Sequence, residues 1–353
     1  MLIFTNRTLR NGTDASVFTP SFAPGSTQLG LASVQRAAGA AAGWTVSDPQ
    51  AAISDAQGVE ALLPLFRGRR SLLVYLHGNN NTPEACFERC ALLESFYDLE
   101  VVGYSWTSEG LLSDGSDLPG VQPDGTGDET DLRSVRAGNR TEGGIQRRIR
   151  RYRQAKTNAQ DSVDALARFL RLLAIARLQA DARPFSVAAH SLGAHFLQYT
   201  LEVPSAGESL ATAHNIVLLA ACVRAAGHRD WLAKVRPKGQ VFVAYNKADS
   251  VLFGAYIADG GQVKLGADPG PELLQSPAVR YVSFSHAEVG FGGHGYFVMD
   301  GMPGKTHRLF ERVFGSSRDI ELDEYPRQVY PVGCDADGLT CYMAAPREVD
   351  GGG

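Results

Sequence analysis

Short apolar runs recur through this 353-residue chain with helical patterns between them, and that alternation constrains the fold more than any other feature. The runs are Leu72 to Leu76, Val101 to Tyr104, Phe185 to Ala188, Ile216 to Leu219, Val241 to Tyr245 and Tyr281 to Phe284. Each is nearly continuous in apolar side chains, as a strand buried on both faces must be. Strands of that kind, separated by helices, predict an α/β architecture with a mostly parallel sheet and helices on both faces. Helical spacing is clearest from Asn158 to Leu178, where Val163, Leu166, Leu170 and Leu173 fall three or four apart. Further helices are expected from Pro83 to about Phe96, from Leu192 to Val203, and from Met302 or Pro303 to Phe314. Met1 to Thr5 reads as an apolar edge strand, and Thr19 to Gly30, rich in Pro, Gly and Ser, reads as loop.

One stretch departs from the alternation. Between Thr107 and Lys156 an acidic half (Asp114, Asp117, Asp124, Asp128, Glu129, Asp131) precedes a basic one (Arg133, Arg136, Arg140, Arg147, Arg148, Arg150, Arg151, Arg153). A long insertion of this kind is either a solvated loop whose halves neutralise each other or a mobile cap whose arginines attract an anionic substrate. Residues 316–353 read as an irregular tail ending in three glycines. A single domain spanning 1–353 accommodates both features.

Charge and composition exclude several classes. The net charge of -4 gives no footprint for nucleic acid, and no apolar stretch is long enough to span a bilayer. Without a basic N-terminal region followed by an apolar run, a cytoplasmic protein is expected. Five cysteines make a disulfide framework improbable. Cys86 and Cys90 stand one helical turn apart and are expected to pack; Cys334 and Cys341 flank a turn and could bridge under oxidation. Neither pair has a zinc-type partner, so no metal site and no cofactor are expected.

Candidate chemistry centres on Phe185 to His195. A buried strand there turns at a serine and runs into a helix, with Ala189 and Gly193 two residues to either side of Ser191. Small residues at those positions let strand and helix pass closely while the serine is held exposed on a strained turn. A serine needs a base to take its proton and donors to receive negative charge. The Gly- and Asn-rich turn His77 to Pro83, with Thr82 as helix N-cap, can aim the Asn79 N–H at such a charge beside the Leu192 N–H. Asp249, in the loop after Val241 to Tyr245, is the favoured acid, with Asp230 as fallback. His294, among Gly292, Gly293 and Gly295, is the favoured base over His286, which directly follows the last apolar run. His190 is expected to point away from the site, and His195, His214, His228 and His307 read as ordinary.

In this order the parts resemble the α/β-hydrolase superfamily. More narrowly the chain is similar to a bacterial branch of putative esterases in Phe4-Thr5-Asn6-Arg7, Tyr75 to Asn80, Tyr104-Ser105-Trp106, Tyr152 with the helix after it, Ala189 to Gly193 and the Asp249 strand. Two departures stand out: Ala189 where Gly is usual, and Ala220-Ala221-Cys222 where the branch tends to carry an aspartate. The resemblance implies about eight strands. It also implies a serine hydrolase acting on a small-molecule or lipid carboxylic ester, with Ser191 as nucleophile, His294 as base, Asp249 as its orienting partner, and Asn79 and Leu192 as oxyanion donors. The same parts serve lipases, thioesterases and acyltransferases, and a non-catalytic binding protein on the same fold is the alternative of a different class.

Overall fold

The computed structural model describes residues 1–37, 43–119, 142–276, 278–315 and 329–333. In chain order the elements are β1 (Leu2–Thr5), β2 (Arg7–Leu9), β3 (Phe18–Phe22), β4 (Gly30–Arg36), β5 (Trp44–Gln50), α1 (Asp55–Arg67), β6 (Ser71–Leu76), α2 (Pro83–Tyr97) and β7 (Leu99–Ser105). They continue as α3 (Glu142–Gln160), α4 (Val163–Gln179), β8 (Phe185–His190), α5 (Leu192–Thr200), α6 (Pro204–Leu210), β9 (Ile216–Leu219), α7 (His228–Leu232), β10 (Val241–Tyr245), α8 (Ser250–Ala258), β11 (Val279–His286), α9 (Gly304–Gly315) and β12 (Val329–Gly333).

Among the described residues ten strands form one sheet in the order β12-β11-β10-β9-β8-β6-β7-β1-β4-β5, against about eight expected. From β12 to β1 every neighbouring pair is parallel; β4 and β5 add an antiparallel edge. Strands β8, β9 and β10 are buried at every residue, so both faces of the sheet are covered. Helix α2 packs on β7 and against α9, whereas α4 packs with α1, α5 and α6, and α3 with α5 and α8.

Several local expectations change. Met1 to Thr5 supplies β1, which lies inside the sheet between β7 and β4 rather than at its edge. Thr19 to Phe22, read as loop, pairs as β3 with β2 in a separate two-stranded sheet, where Pro20 is tolerated because the pair has only edges. The helix expected from Asn158 is two helices. α3 ends at Gln160, and Ser162 occupies the N-cap position of α4 without a side-chain capping bond, its hydroxyl accepting instead from Asn6 Nδ2 at 2.7 Å. The basic half of the expected insertion is therefore helical from Glu142 onward. Residues 329–333 of the expected tail join the sheet, while Cys334 and Cys341 lie outside the described residues. Cys86 and Cys90 are both buried on α2. No helix among the described residues is long and apolar enough to cross a membrane.

Candidate active site

The parallel strands β6, β8, β9 and β10 end side by side, at Leu76, His190, Leu219 and Tyr245, and the chemistry-bearing residues follow those ends. In open α/β sheets that edge is where loops converge and leave a crevice.

Ser191 sits between β8 and α5 with φ 51° and ψ −118°, a conformation a side chain adopts at a cost of about 1–3 kcal/mol. Three backbone hydrogen bonds enforce it. The Ser191 N–H donates to Leu219 O at 2.9 Å, and Ser191 O accepts from Cys222 at 3.0 Å and from Ala194 at 3.2 Å. Close passage of α5 explains the glycine: a Cβ on Gly193 would stand 2.6 Å from the carbonyl oxygens of both Leu76 and His77. Ala189 is likewise fully buried.

Asp249 is the N-cap of α8. Its Oδ1 accepts from the Val251 and Leu252 N–H groups, each at 2.9 Å, and its Oδ2 accepts from His294 Nδ1 at 2.6 Å. Two backbone donors at the start of α8 thus fix the direction of the carboxylate. Both side chains are almost wholly removed from solvent.

His294 reaches Asp249 from a loop in which Gly290, Gly292 and Gly293 all take positive φ. Gly293 is required for a second reason, because a Cβ there would lie 2.4 Å from Asn246 Nδ2. That amide donates to Gly293 O at 2.9 Å, and Ser250 Oγ donates to Gly292 O at 3.2 Å. Two residues further on, the Tyr296 hydroxyl accepts from the Ala220 N–H at 2.9 Å and donates to Ala244 O at 3.0 Å. The histidine loop is therefore pinned to the ends of β9 and β10.

His190 differs from expectation. Its ring, directly before Ser191, lies 4.6 Å from the His294 ring and 4.9 Å from that of Phe297, so it forms part of the wall on which His294 rests. Strand alternation turns residue 190 away from its neighbour 191, but the His294 loop folds over the same side. The two fallback residues are not brought in: Asp230 is exposed on α7, and His286 is exposed at the end of β11. His195, one turn into α5, bonds Tyr199 through Nε2 at 2.6 Å; burial, with Lys156 and Lys264 nearby, pulls it down to about 3. It stays neutral at any ordinary pH.

Asn79 lies in the turn after β6, whose flank touches the start of α5 through Leu76 and His77. Among the described residues neither the Asn79 N–H nor the Leu192 N–H donates to another group. Leu192 opens α5, so its N–H belongs to the unsatisfied, positive end of that helix. Thr82 caps α2 by accepting from the Ala85 N–H.

Sequence reasoning did not single out Asn246, Ser250 or Tyr296. The only local sign was a polar pair bracketing Asp249 beyond a strand end. Among the described residues no three His, Cys, Asp or Glu side chains gather as a metal site would require. No protein-family model, curated protein or solved structure matches the chain.

Proposed function

We propose that the protein is a serine hydrolase that cleaves a carboxylic ester through an acyl-enzyme. The reading rests above all on the buried Asp249–His294 hydrogen bond, packed against the residue that precedes a serine of positive φ. Nδ1 of His294 is committed to Asp249, so exchange of the serine proton falls to Nε2. In the proposed reaction Ser191 Oγ attacks the ester carbonyl carbon as Nε2 takes its proton. The carbonyl oxygen becomes an oxyanion facing the N–H groups of Asn79 and Leu192. Collapse breaks the bond to the alcohol oxygen, which receives the proton from Nε2. Water then repeats the sequence on the acyl-enzyme, releasing the acid and restoring Ser191.

The sheet architecture is compatible with the α/β-hydrolase fold, and membership in that superfamily is part of the proposal. The test is a pre-steady-state assay on a short p-nitrophenyl ester. A burst of nitrophenol equal to the enzyme concentration is expected, and Ser191→Ala should lose the burst and lower turnover on the order of 10⁶-fold. Wild-type turnover by Ser191→Ala would refute the reading.

A further inference from the structure

The turn that carries Asn79 is held on both sides by one other segment of the chain. Before Asn79, the Trp106 N–H donates to His77 Nε2 at 3.0 Å and the Trp106 indole Nε1–H donates to His77 O at 3.0 Å, with the two rings stacked at 5.6 Å. After it, Ser108 O accepts from the Asn80 N–H at 2.8 Å and Ser108 Oγ accepts from the Asn81 N–H at 3.0 Å. Within the turn these contacts engage the N–H groups of Asn80 and Asn81, and none of them engages that of Asn79.

The gripping segment is itself anchored. Arg7 has a fully buried side chain that donates to Trp106 O at 2.5 Å, to Ser105 Oγ at 3.2 Å and to Glu109 Oε2 at 2.8 Å. From the opposite direction Asn158 Nδ2 donates to Thr107 O at 3.0 Å. A loop tied to β2, β7 and α3 in this way moves little, and an oxyanion donor is worth most when its position needs no rearrangement during the reaction.

We infer that Trp106 and Ser108 are positioning residues that set the Asn79 N–H for the developing oxyanion, an inference that rests on the hydrolase reading. Neither touches the reacting atoms; both act through the 77–81 turn. Binding of the ground-state ester, whose carbonyl oxygen carries little charge, depends weakly on that placement, whereas the tetrahedral oxyanion depends on it strongly.

Trp106→Phe keeps an aromatic ring over His77 and removes the indole donor; Ser108→Ala removes the acceptor for Asn81. Each is assayed for kcat, for KM and for inhibition by a trifluoromethyl ketone, which adds to Ser191 as a tetrahedral oxyanion. Leu62→Ala, in a fully buried position on α1, supplies a variant destabilised elsewhere. The positioning variants should lose about tenfold or more in kcat with KM within about threefold, and ketone affinity should weaken by the same factor as kcat/KM. Leu62→Ala should lower the melting temperature and leave all three constants unchanged. If Trp106→Phe does not fold, Ser108→Ala carries the comparison. Unchanged kcat and ketone affinity in the folded variants of an active wild type would overturn the inference alone. A wild type that neither turns over esters nor binds the ketone would overturn the hydrolase reading and this inference with it.

Discussion

Helix α8 has an aspartate at each end, and the two are put to opposite uses. Asp249 stands at the N-terminus, at the positive end of the helix dipole, where its Oδ1 accepts from the Val251 and Leu252 N–H groups and its Oδ2 accepts from His294. Asp259 stands at the C-terminus, where the same dipole is unfavourable. It is stabilised instead by the Lys264 ammonium, by Lys156 at 3.2 Å and by the Tyr152 hydroxyl at 2.9 Å. Burial pushes Asp259 up, yet the hydrogen bond and charge of Lys264, with Lys156 and Tyr152, outweigh it and hold the carboxyl below the usual range. Tyr152 is driven the other way, up, by burial first and by Cys222 and Asp259 after it. An aspartate capped by backbone keeps one oxygen for the His294 ring. One neutralised by lysines ties α3, α8 and the segment carrying Lys264 together.

The sharpest way to break this contrast is to remove each charge in turn. Asp249→Asn keeps an N-capping side chain and is expected to cost under about 1 kcal/mol of stability. It should lower kcat/KM by about 10⁴-fold in ester hydrolysis, because the amide no longer holds His294 in the required tautomer. Asp259→Asn should do the reverse. Lys264, with only 1% of its side chain exposed, would lose its carboxylate, and urea unfolding should show a loss of about 3–5 kcal/mol. Since ten helical rises between Asp249 and Asp259 put the two sites about 15 Å apart, kcat/KM should stay within about threefold.

A double variant sharpens the second half. Replacing both Asp259 and Lys264, as Asp259→Asn with Lys264→Met, should recover about 1–4 kcal/mol of that loss in the same urea experiment, because no uncompensated ammonium remains buried. The smallest effect is in acid. A carboxyl depressed on folding stabilises the fold above the unfolded value, near pH 4, and the contribution is lost as pH falls through the depressed one. Unfolding free energies of the wild type from urea titrations below pH 4 should therefore fall more steeply than those of Asp259→Asn, by up to about 1.4 kcal/mol per pH unit.

How much was legible in the sequence follows from how local each cause is. Strands β6 to β11 are readable because a strand buried on both faces must be almost continuously apolar. Strand β5 is not, since its exposed edge position leaves a polar run containing Pro49. Helix α3 was hidden by its charge. Six basic residues between Arg147 and Lys156 obscure a stripe of Ile145, Ile149, Tyr152 and Ala159, of which Tyr152 and Ala159 are fully buried. The Ser191 turn is readable because a close strand-to-helix passage demands small neighbours at fixed offsets, and Gly193 shows that demand as a 2.6 Å approach. Asp249 could be placed at a strand end. The supports of the site could not be found this way: Asn246 acts on Gly293, 47 positions away, and Arg7 on Trp106, 99 positions away. Nothing in the neighbouring residues of either foretells those partners.

The central claim concerns Ser191, and its most direct test is covalent. Full-length protein is treated with a fluorophosphonate, digested, and mapped by mass spectrometry, beside Ser191→Ala and Asp249→Asn. The expected result is a single adduct on Ser191, absent from Ser191→Ala and formed far more slowly in Asp249→Asn. A folded wild type that carries no adduct, or carries it on another serine, would contradict the assignment.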